Sequence, residues 1–569
     1  MGTRRVRNFA VTACVAFLAL AAWGAAPVPP VPDYVPTCPN PQQIAPVQPA
    51  GGIAIGARSS VAWNGKEYGM AYVDNSNATL YFRRFFADGT PAAPAVPVGP
   101  AIANYSPSLA WTDTNYGLAW TSYVGAYYQV NFALLSPSGA LLSGPTRVSF
   151  AGGTQTAHSY AVSLATSGAG FAAVWGDTRN FGTTNYDIYA TLLNADGTIA
   201  GLGAYHDIAV STAAGAQQTP SLAWSALSQQ YVIAFESYQS GAHYEIYGAR
   251  LNPASGAAAS LLVLASAGAT SSQDASLASG PSGLGLVWDD TRDANYEIYF
   301  QLLDAGGSKV GTALRLTNDP AGSFYPRAIW TGAEFGVFWE DYRTGRYEAW
   351  FQRVTSGGSL PGGVLNNVQA TFSSGIYYPD AAFARYGYLA SFYGYGNEVV
   401  AWGCAVDTTP PTCPVNLVAY NVTGTTATIA WVPSVEDVTD IAYYEVYRNS
   451  GLIARTSDTF YADSGLSLNT TYNYYVRSVN AAQLVNGSCT SSSSIYVKTN
   501  ATLLLMVNKS APNAALSWTD ATMNNYNVFR GTSPQVMQQI GSTASLAFSD
   551  PNVLTDNVLY FYTVDEPGW

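Results

Sequence analysis

The sequence predicts an all-β protein, a seven-bladed β-propeller followed by smaller β modules, on three observations. A motif recurs seven times, loosely apolar-Ala-Trp, a turn, then Tyr-Gly-apolar-Ala-Trp; it stands as LAWTDTNYGLAW at 109–120, LASGPSGLGLVW at 277–288 and AIWTGAEFGVFW at 328–339. Its anchors, Trp63, Trp111, Thr166, Trp224, Ser279, Trp330 and Phe383, lie 48, 55, 58, 55, 51 and 53 residues apart, and a period of that length made of short strands marks a radial array of blades. Only 11% of the 569 residues are charged while Gly and Tyr abound, which suits a β-rich exported chain and excludes long helices or disorder.

The N-terminus comes first in the chain. Arg4, Arg5 and Arg7 precede an apolar stretch at 9–23, then Gly24-Ala25-Ala26, which predicts a signal peptide over 1–26 and a secreted or cell-surface protein. A Pro-rich segment over 27–37 follows, and no further candidate membrane span appears after signal removal. The net charge of −12 carries no basic stripe, so nucleic acid is excluded as a partner. Loss of Cys14 with the signal leaves Cys38, Cys404, Cys413 and Cys489, an even set that reads as two disulfides with three connectivities open. Their spacing is not that of a metal site.

The propeller is expected over 38–405. In the sixth repeat, strand A falls at 325–330, B at 335–339, C at 347–354 and D at 363–369; strand C of the fourth and fifth repeats falls at 244–251 and 296–303. The seventh repeat has A and B over 381–392 and C over 398–404, then lacks a D, whereas 42–47 matches a strand D ahead of the first repeat. The N-terminal strand is therefore expected to complete the last blade. The end of strand C then lies beside the start of D, which pairs Cys38 with Cys404, a closure worth about 5 kcal/mol in the chain-entropy model.

A stiff linker over 406–411 contains Asp407-Thr408-Thr409-Pro410-Pro411. Beyond it, 412–499 alternates around Trp431, Tyr443-Tyr444-Glu445-Val446-Tyr447-Arg448 and Leu468-Asn469-Thr470-Thr471-Tyr472-Asn473-Tyr474, and resembles a bacterial fibronectin type III domain. The resemblance makes Trp431 the core tryptophan of strand B and Tyr472 the tyrosine corner, and it puts Cys413 and Cys489 on the two terminal strands as the second disulfide. Residues 502–569 repeat the theme in shortened form, with Leu516-Ser517-Trp518, Tyr526-Asn527-Val528-Phe529-Arg530 and Tyr560-Phe561-Tyr562-Thr563-Val564. The full expectation is a seven-bladed β-propeller followed by fibronectin type III-like β-sandwich domains.

One constellation carries chemistry. Three repeats end strand B with Trp-x-Asp-x-Arg, namely Trp175/Asp177/Arg179, Trp288/Asp290/Arg292 and Trp339/Asp341/Arg343, and strand C then carries an acid, Asp187, Glu297 or Glu348. As scaffolding, the Asp caps the turn and the Arg pairs with the strand-C acid across the hairpin. As a site, Asp177, Arg179, Asp290, Arg292, Asp341 and Arg343 lie on the face formed by the B–C and D–A loops, with Tyr123, Tyr127, Tyr128, Phe181, Tyr238 and Tyr395, a mixture suited to sugar rings.

The repeats resemble those of bacterial exported propellers loosely related to the sialidase-like group, but no Ser-x-Asp-x-Gly-x-Thr-Trp box and no arginine triad with a Tyr–Glu pair is present. No catalytic residue, metal site or cofactor motif stands out; Asp289, Asp290 and Asp293 lack a complete calcium loop. The expected role is non-catalytic binding of a polysaccharide or extracellular protein. A glycoside hydrolase or lyase at the channel mouth is the first alternative, and a structural envelope or matrix protein the second. The hydrolase requires two convergent acids whose pKa values are driven apart.

Overall fold

The computed structural model describes residues 59–565 apart from loop segments, the longest being 150–156, 519–525 and 551–560, together with 42–43 and 48–49. The expected signal peptide, the Pro-rich segment, Cys38, Cys404 and Tyr395 lie outside the described residues. The fold is all-β: seven antiparallel blades, each ordered A-B-C-D, followed by two fibronectin type III-like sandwiches. The inner strands are Ser60–Trp63, Ser108–Trp111, Ser159–Thr166, Gln217–Ser225, Ser272–Ser279, Ser323–Trp330 and Ile376–Ala384. Each packs on the next and the seventh packs on the first, so the ring closes.

The repeated motif is explained by the seams between blades. Each of seven buried apolar clusters joins two adjacent blades, and none belongs to one blade alone. The aromatic that opens strand B packs on the Trp or Phe ending strand A, with centroids 4.6 Å apart in Trp63–Tyr68, 4.7 Å in Trp111–Tyr116 and 4.7 Å in Phe383–Tyr388. Its ring enters the space over the glycine of the preceding blade. A Cβ on Gly117 would stand 2.3 Å from the Phe171 ring, and one on Gly336 would stand 2.7 Å from the Tyr388 hydroxyl. The Tyr-Gly pair is thus a knob and a hole held on neighbouring repeats.

A second device links the inner strands. The hydroxyls of Ser60, Ser108, Ser163, Ser221 and Ser276 accept from the backbone N–H of Leu109, Leu164, Leu222, Leu277 and Ala328 in the next blade, at 3.1, 2.9, 3.2, 3.0 and 3.2 Å. Blades six and seven replace serine by Arg327 and Asp380. The Arg327 guanidinium donates to Asp380 at 2.6 Å, and the other Asp380 oxygen accepts from Val61 N–H at 2.8 Å. One carboxylate therefore bridges blades six, seven and one.

The chain ends meet in blade seven, whose strand C is Glu398–Gly403. Gln42 and Gln43 pair antiparallel with Gly403 and Trp402, and Gln48 and Pro49 with Val399 and Glu398, so an N-terminal strand D does complete this blade. Strand D of blade six departs from expectation. Only Val368–Gln369 pairs with strand C, and a 3₁₀ turn at Pro361–Gly363 occupies the rest. The Gln352 carboxamide accepts from Asn366 N–H and donates to the Arg353 carbonyl, covering the strand-C edge left open.

The first sandwich pairs sheets of three and four strands around buried Trp431, Tyr444, Val446 and Tyr474, and Ser467 N–H donates to the Tyr472 hydroxyl at 2.9 Å, a tyrosine corner. Cys413 and Cys489 are bonded, but not on terminal strands: Cys413 precedes Val415–Tyr420, and Cys489 lies in the connection between Thr471–Asn480 and Ser494–Lys498. The bridge ties the entry of the domain to that connection. The second sandwich shows two three-stranded sheets. The first sandwich is docked on blade one, where Phe86 and Ala87 form a buried cluster with Ala442, Tyr443, Val479 and Ala481. Ser457 Oγ donates to Glu67 at 2.6 Å, and Lys66 pairs with Asp458 at 2.6 Å. These contacts use the A–B and C–D turns, so the module sits on the face opposite the B–C loops.

Replacing Asp380 by Ala removes the acceptor of the buried Val61 amide and the partner of half-exposed Arg327, and is expected to cost about 2 kcal/mol in denaturant unfolding. Ser163→Ala, which removes one hydroxyl acceptor, should cost about 1 kcal/mol. Equal losses would show that Asp380 is no more than one latch among seven.

Candidate functional site

The three Trp-x-Asp-x-Arg segments fold identically. In blade three the Asp177 carboxylate accepts from Ser159 Oγ, Trp175 Nε1, and the Arg179 backbone N–H, Nε and Nη2, each at 2.9 Å. Asp290 receives the same five donors from Ser272, Trp288 and Arg292, and Asp341 from Ser323, Trp339 and Arg343. The three carboxylates are fully buried. Burial drives the Asp290 carboxyl upward, but the donors from Arg292, Trp288 and Ser272 outweigh it, and the net shift is downward. Each guanidinium lies over a strand-C ring, Tyr189 at 3.8 Å, Tyr299 at 4.4 Å and Trp350 at 4.1 Å.

The expected pairing of Arg with the strand-C acid is therefore corrected. The fork geometry returns each Arg to the Asp two residues before it, and Asp187, Glu297 and Glu348 find Asn180, Arg315 and Gln369 instead. The six expected ligand-binding residues form three separate pairs, one in each of blades three, five and six, and Arg292 also donates to the Ser266 carbonyl after strand D of blade four. The serine eighteen residues before each Asp, and the aromatic two residues after each strand-C acid, complete the device. Both recur at fixed spacing in the sequence, which is the signal that marks them.

The central mouth of the same face holds a different group. Inner strands of blades three to seven each carry a bulge whose central residue is left-handed: Ala161, Thr219, Asp274, Tyr325 and Tyr378, with φ of 54°, 48°, 51°, 51° and 53°. Three of these bulges are capped by an acid from strand B of the preceding blade. Asp274 N–H donates to Glu236 at 2.8 Å, Tyr325 N–H to Asp289 at 3.2 Å, and Tyr378 N–H to Glu340.

The bulges of blades six and seven follow the sequence aromatic-Tyr-Pro, and they gather rings. Phe324, Tyr325, Tyr378, Tyr377 and Tyr347 make a closed circuit, with successive centroid separations of 6.4, 4.7, 6.5, 5.1 and 6.2 Å. Tyr296 joins through Phe324 at 4.9 Å, and Tyr342, at 44% exposure, joins through Tyr347 at 4.9 Å. Phe324-Tyr325-Pro326 and Tyr377-Tyr378-Pro379 were the sequence signal for this cluster. Among the rings expected on the face, Tyr123 and Phe181 are exposed, while Tyr127 and Tyr128 pack on His158 of the next blade in a seam.

Glu236 is buried beside Asp274. Burial first, and the Asp274 charge second, push its carboxyl from 4.5 to about 7. The Tyr325 phenol is pushed up by burial first, then by Asp274 and Tyr378, so it stays protonated at the mouth. Among the described residues, no three His, Cys, Asp or Glu side chains gather as metal ligands, and no helix is long and apolar enough to cross a membrane.

No family model matches the chain. It is similar to exoglucanase B of Cellulomonas fimi, with 33% identity over 175 residues, 28% of this chain and 15% of that protein. It is also similar to chitinase Chi52 of Paenibacillus xylanexedens, with 38% identity over 85 residues, 15% of this chain and 16% of that one. The chain thus spans about a sixth of the length of these curated relatives. Among solved structures it is similar to the Penicillium chrysogenum α-L-arabinanase complexed with arabinobiose, at 10% identity and TM-score 0.36, covering 64% of this chain and 98% of that one. It is similar as well to FN3tt, at 24% identity and TM-score 0.14, covering 16% of this chain and 98% of that one.

The raised Glu236 carboxyl makes stability pH-dependent with a defined sign. Below its unfolded value of 4.5 the group is protonated in both states and contributes nothing; between 4.5 and about 7 the native state holds the extra proton, so stability falls with rising pH and levels off above about 7. Glu236→Gln should therefore match the parent in urea unfolding near pH 4 and exceed it near pH 8 by about 3 kcal/mol. An equal difference at both pH values would show that Glu236 is not held protonated.

Proposed function

We propose that the protein acts on a polysaccharide outside the cell, held across the B–C face of the propeller. The observation that carries this is the closed circuit of five aromatic rings at the mouth, extended outward by Tyr296 and exposed Tyr342. Rings of this kind stack on the apolar faces of sugars, and phenols and carboxylates meet the hydroxyl rim. The relatives named as an exoglucanase and a chitinase support a polysaccharide as the class of ligand. The Cys413–Cys489 disulfide supports an oxidising compartment, and secretion or surface display follows from it in this reading. The Asp–Arg pairs at 177/179, 290/292 and 341/343 serve here by fixing the loops of the ligand-bearing face.

A hydrolytic form of this reading is favoured over passive binding by Glu236 and Asp274. A carboxyl kept protonated by burial beside a second carboxyl suits the division of labour between general acid and carboxylate partner in glycoside hydrolysis. Glu236 would give its proton to the leaving oxygen, and Asp274 would act at the anomeric carbon or on the attacking water.

The test is incubation of the full chain with a polysaccharide panel, reading both retention and released sugar. Retention with release, abolished in Glu236→Gln while retention persists, is the outcome expected of the hydrolase. Retention without release supports a binder alone. Tyr342→Ala should weaken retention about tenfold in either case. Retention that is absent, or indifferent to Tyr342, overturns the glycan reading.

A further inference from the structure

The C–D turn of blade one has a twin in blade three. Ala87-Asp88-Gly89-Thr90 and Ala195-Asp196-Gly197-Thr198 share one sequence and one conformation. In the first, Phe86 N–H donates to the Thr90 carbonyl at 2.8 Å and Gly89 N–H to the Phe86 carbonyl at 2.9 Å; in the second, Asn194 and Gly197 make the same bonds at 2.8 and 3.0 Å. Each aspartate accepts from its threonine, backbone N–H and hydroxyl: Asp88 at 2.9 and 2.7 Å, Asp196 at 2.9 and 2.6 Å. The two turns differ in their cover. Asp196 is exposed, whereas Asp88 is completely buried under the docked sandwich.

Among the groups facing Asp88 across the interface is the Tyr443 phenol, which burial first and the Asp88 charge second push upward, so it stays protonated. The Gln483 carboxamide donates to the outer Asp88 oxygen at 3.5 Å, from the turn after strand Thr471–Asn480. Arg455, on strand Gly451–Thr456, acts on it at longer range, but that guanidinium is bonded to Glu445 at 3.0 Å and lies over the Tyr443 ring. From blade one itself come Thr90 and the Phe86 ring. Lys66–Asp458 is an exposed pair at the rim, and Glu67 is already held by Arg84 and Ser457. No cation comes into direct bonding contact with Asp88 in these interactions.

We propose that the sandwich at 412–499 is a proton-dependent clamp on blade one, seated when Asp88 is neutral and loosened when Asp88 ionises. Docking removes water from a carboxyl and supplies one weak neutral donor in return, so the charged form opposes the docked state. The twin turns separate this cause from the turn itself. Exposed Asp196 is lowered by its threonine bonds, and Asp88, with the same bonds, is raised, burial being the largest influence. Undocked, Asp88 titrates like Asp196; docked, it titrates higher. The clamp is accordingly tightest below the undocked value, and weakens as pH rises through the docked one. Blade one also forms the seam with blade seven, so the clamp braces the joint at which the ring closes.

The experiment is hydrogen exchange on the full chain, comparing amides 86–90 with amides 194–198 in the same molecule. Using the second turn as the reference cancels intrinsic exchange rates and any global change in stability. Protection of the first turn relative to the second should be about tenfold greater near pH 3 than near pH 8. Asp88→Asn keeps the turn acceptor without the charge, and should hold the high ratio at both pH values. A ratio independent of pH in the parent overturns the proposal, and so does a pH dependence that survives in Asp88→Asn. If Asp88→Asn lost the docked state, the parent titration alone would still decide, because it needs no variant.

Discussion

The seven inner strands must close on themselves, and the bond from one inner strand to the next is what everything else rests on. Among the described residues the apolar clusters of the propeller lie in the seams between blades, so a blade is not complete until both neighbours are present. The serine latches place each inner strand at a set register against the next, and that register brings the aromatic of one repeat over the glycine of the one before. Closure is the step that lacks a covalent neighbour. There a carboxylate replaces the hydroxyl and holds three blades at once, and the N-terminal strand supplies the missing edge.

The distinction between repeated and unrepeated residues separates scaffold from site. A chemical device found in three blades with the same five bonds serves a need those blades share, here the fixing of a long B–C loop on a buried Asp. What differs between blades is placed on the bulges at the mouth. Equivalent positions hold Ala161, Thr219, Asp274, Tyr325 and Tyr378, all in a backbone conformation that costs energy for such residues. The capping acids Glu236, Asp289 and Glu340 sustain that conformation in blades five, six and seven. The raised pKa of Glu236 follows from its place under the bulge: an acid buried to hold a bulge is an acid kept protonated.

Architecture was legible because it is written in spacing. Anchors about fifty residues apart, strand-length alternation and an unmatched strand D at the N-terminus were enough for the blades and for the closing pair of Gln42 and Gln43 with strand C. The partners of side chains were not legible, because a repeat does not say whether a residue reaches forward, backward or into the next copy. Hairpin spacing points Arg179 at Asp187, whereas its planar fork fits Asp177 on the same turn. Ser163 reads as one more polar residue in a strand until Leu222, fifty-nine residues on, is placed beside it. Cys413 and Cys489 paired as the resemblance implied, but from positions off the strands, since the bridge ties a loop and not a sheet edge.

The placement of the first sandwich follows from the same geometry. A–B and C–D turns occupy one face and the B–C loops the other, so a module seated on Phe86 and Glu67 cannot obstruct the aromatic mouth. It is joined after blade seven, yet it docks on blade one. Its contacts lie on blade one, which itself forms the closing seam with blade seven. A trailing module that merely spaced the propeller from a surface would need no buried aromatic pair and no buried carboxylate at its root. Phe86 with Tyr443, and Asp88 beneath Gln483, are the marks of a brace, whose strength is set by how well one turn of blade one tolerates being covered.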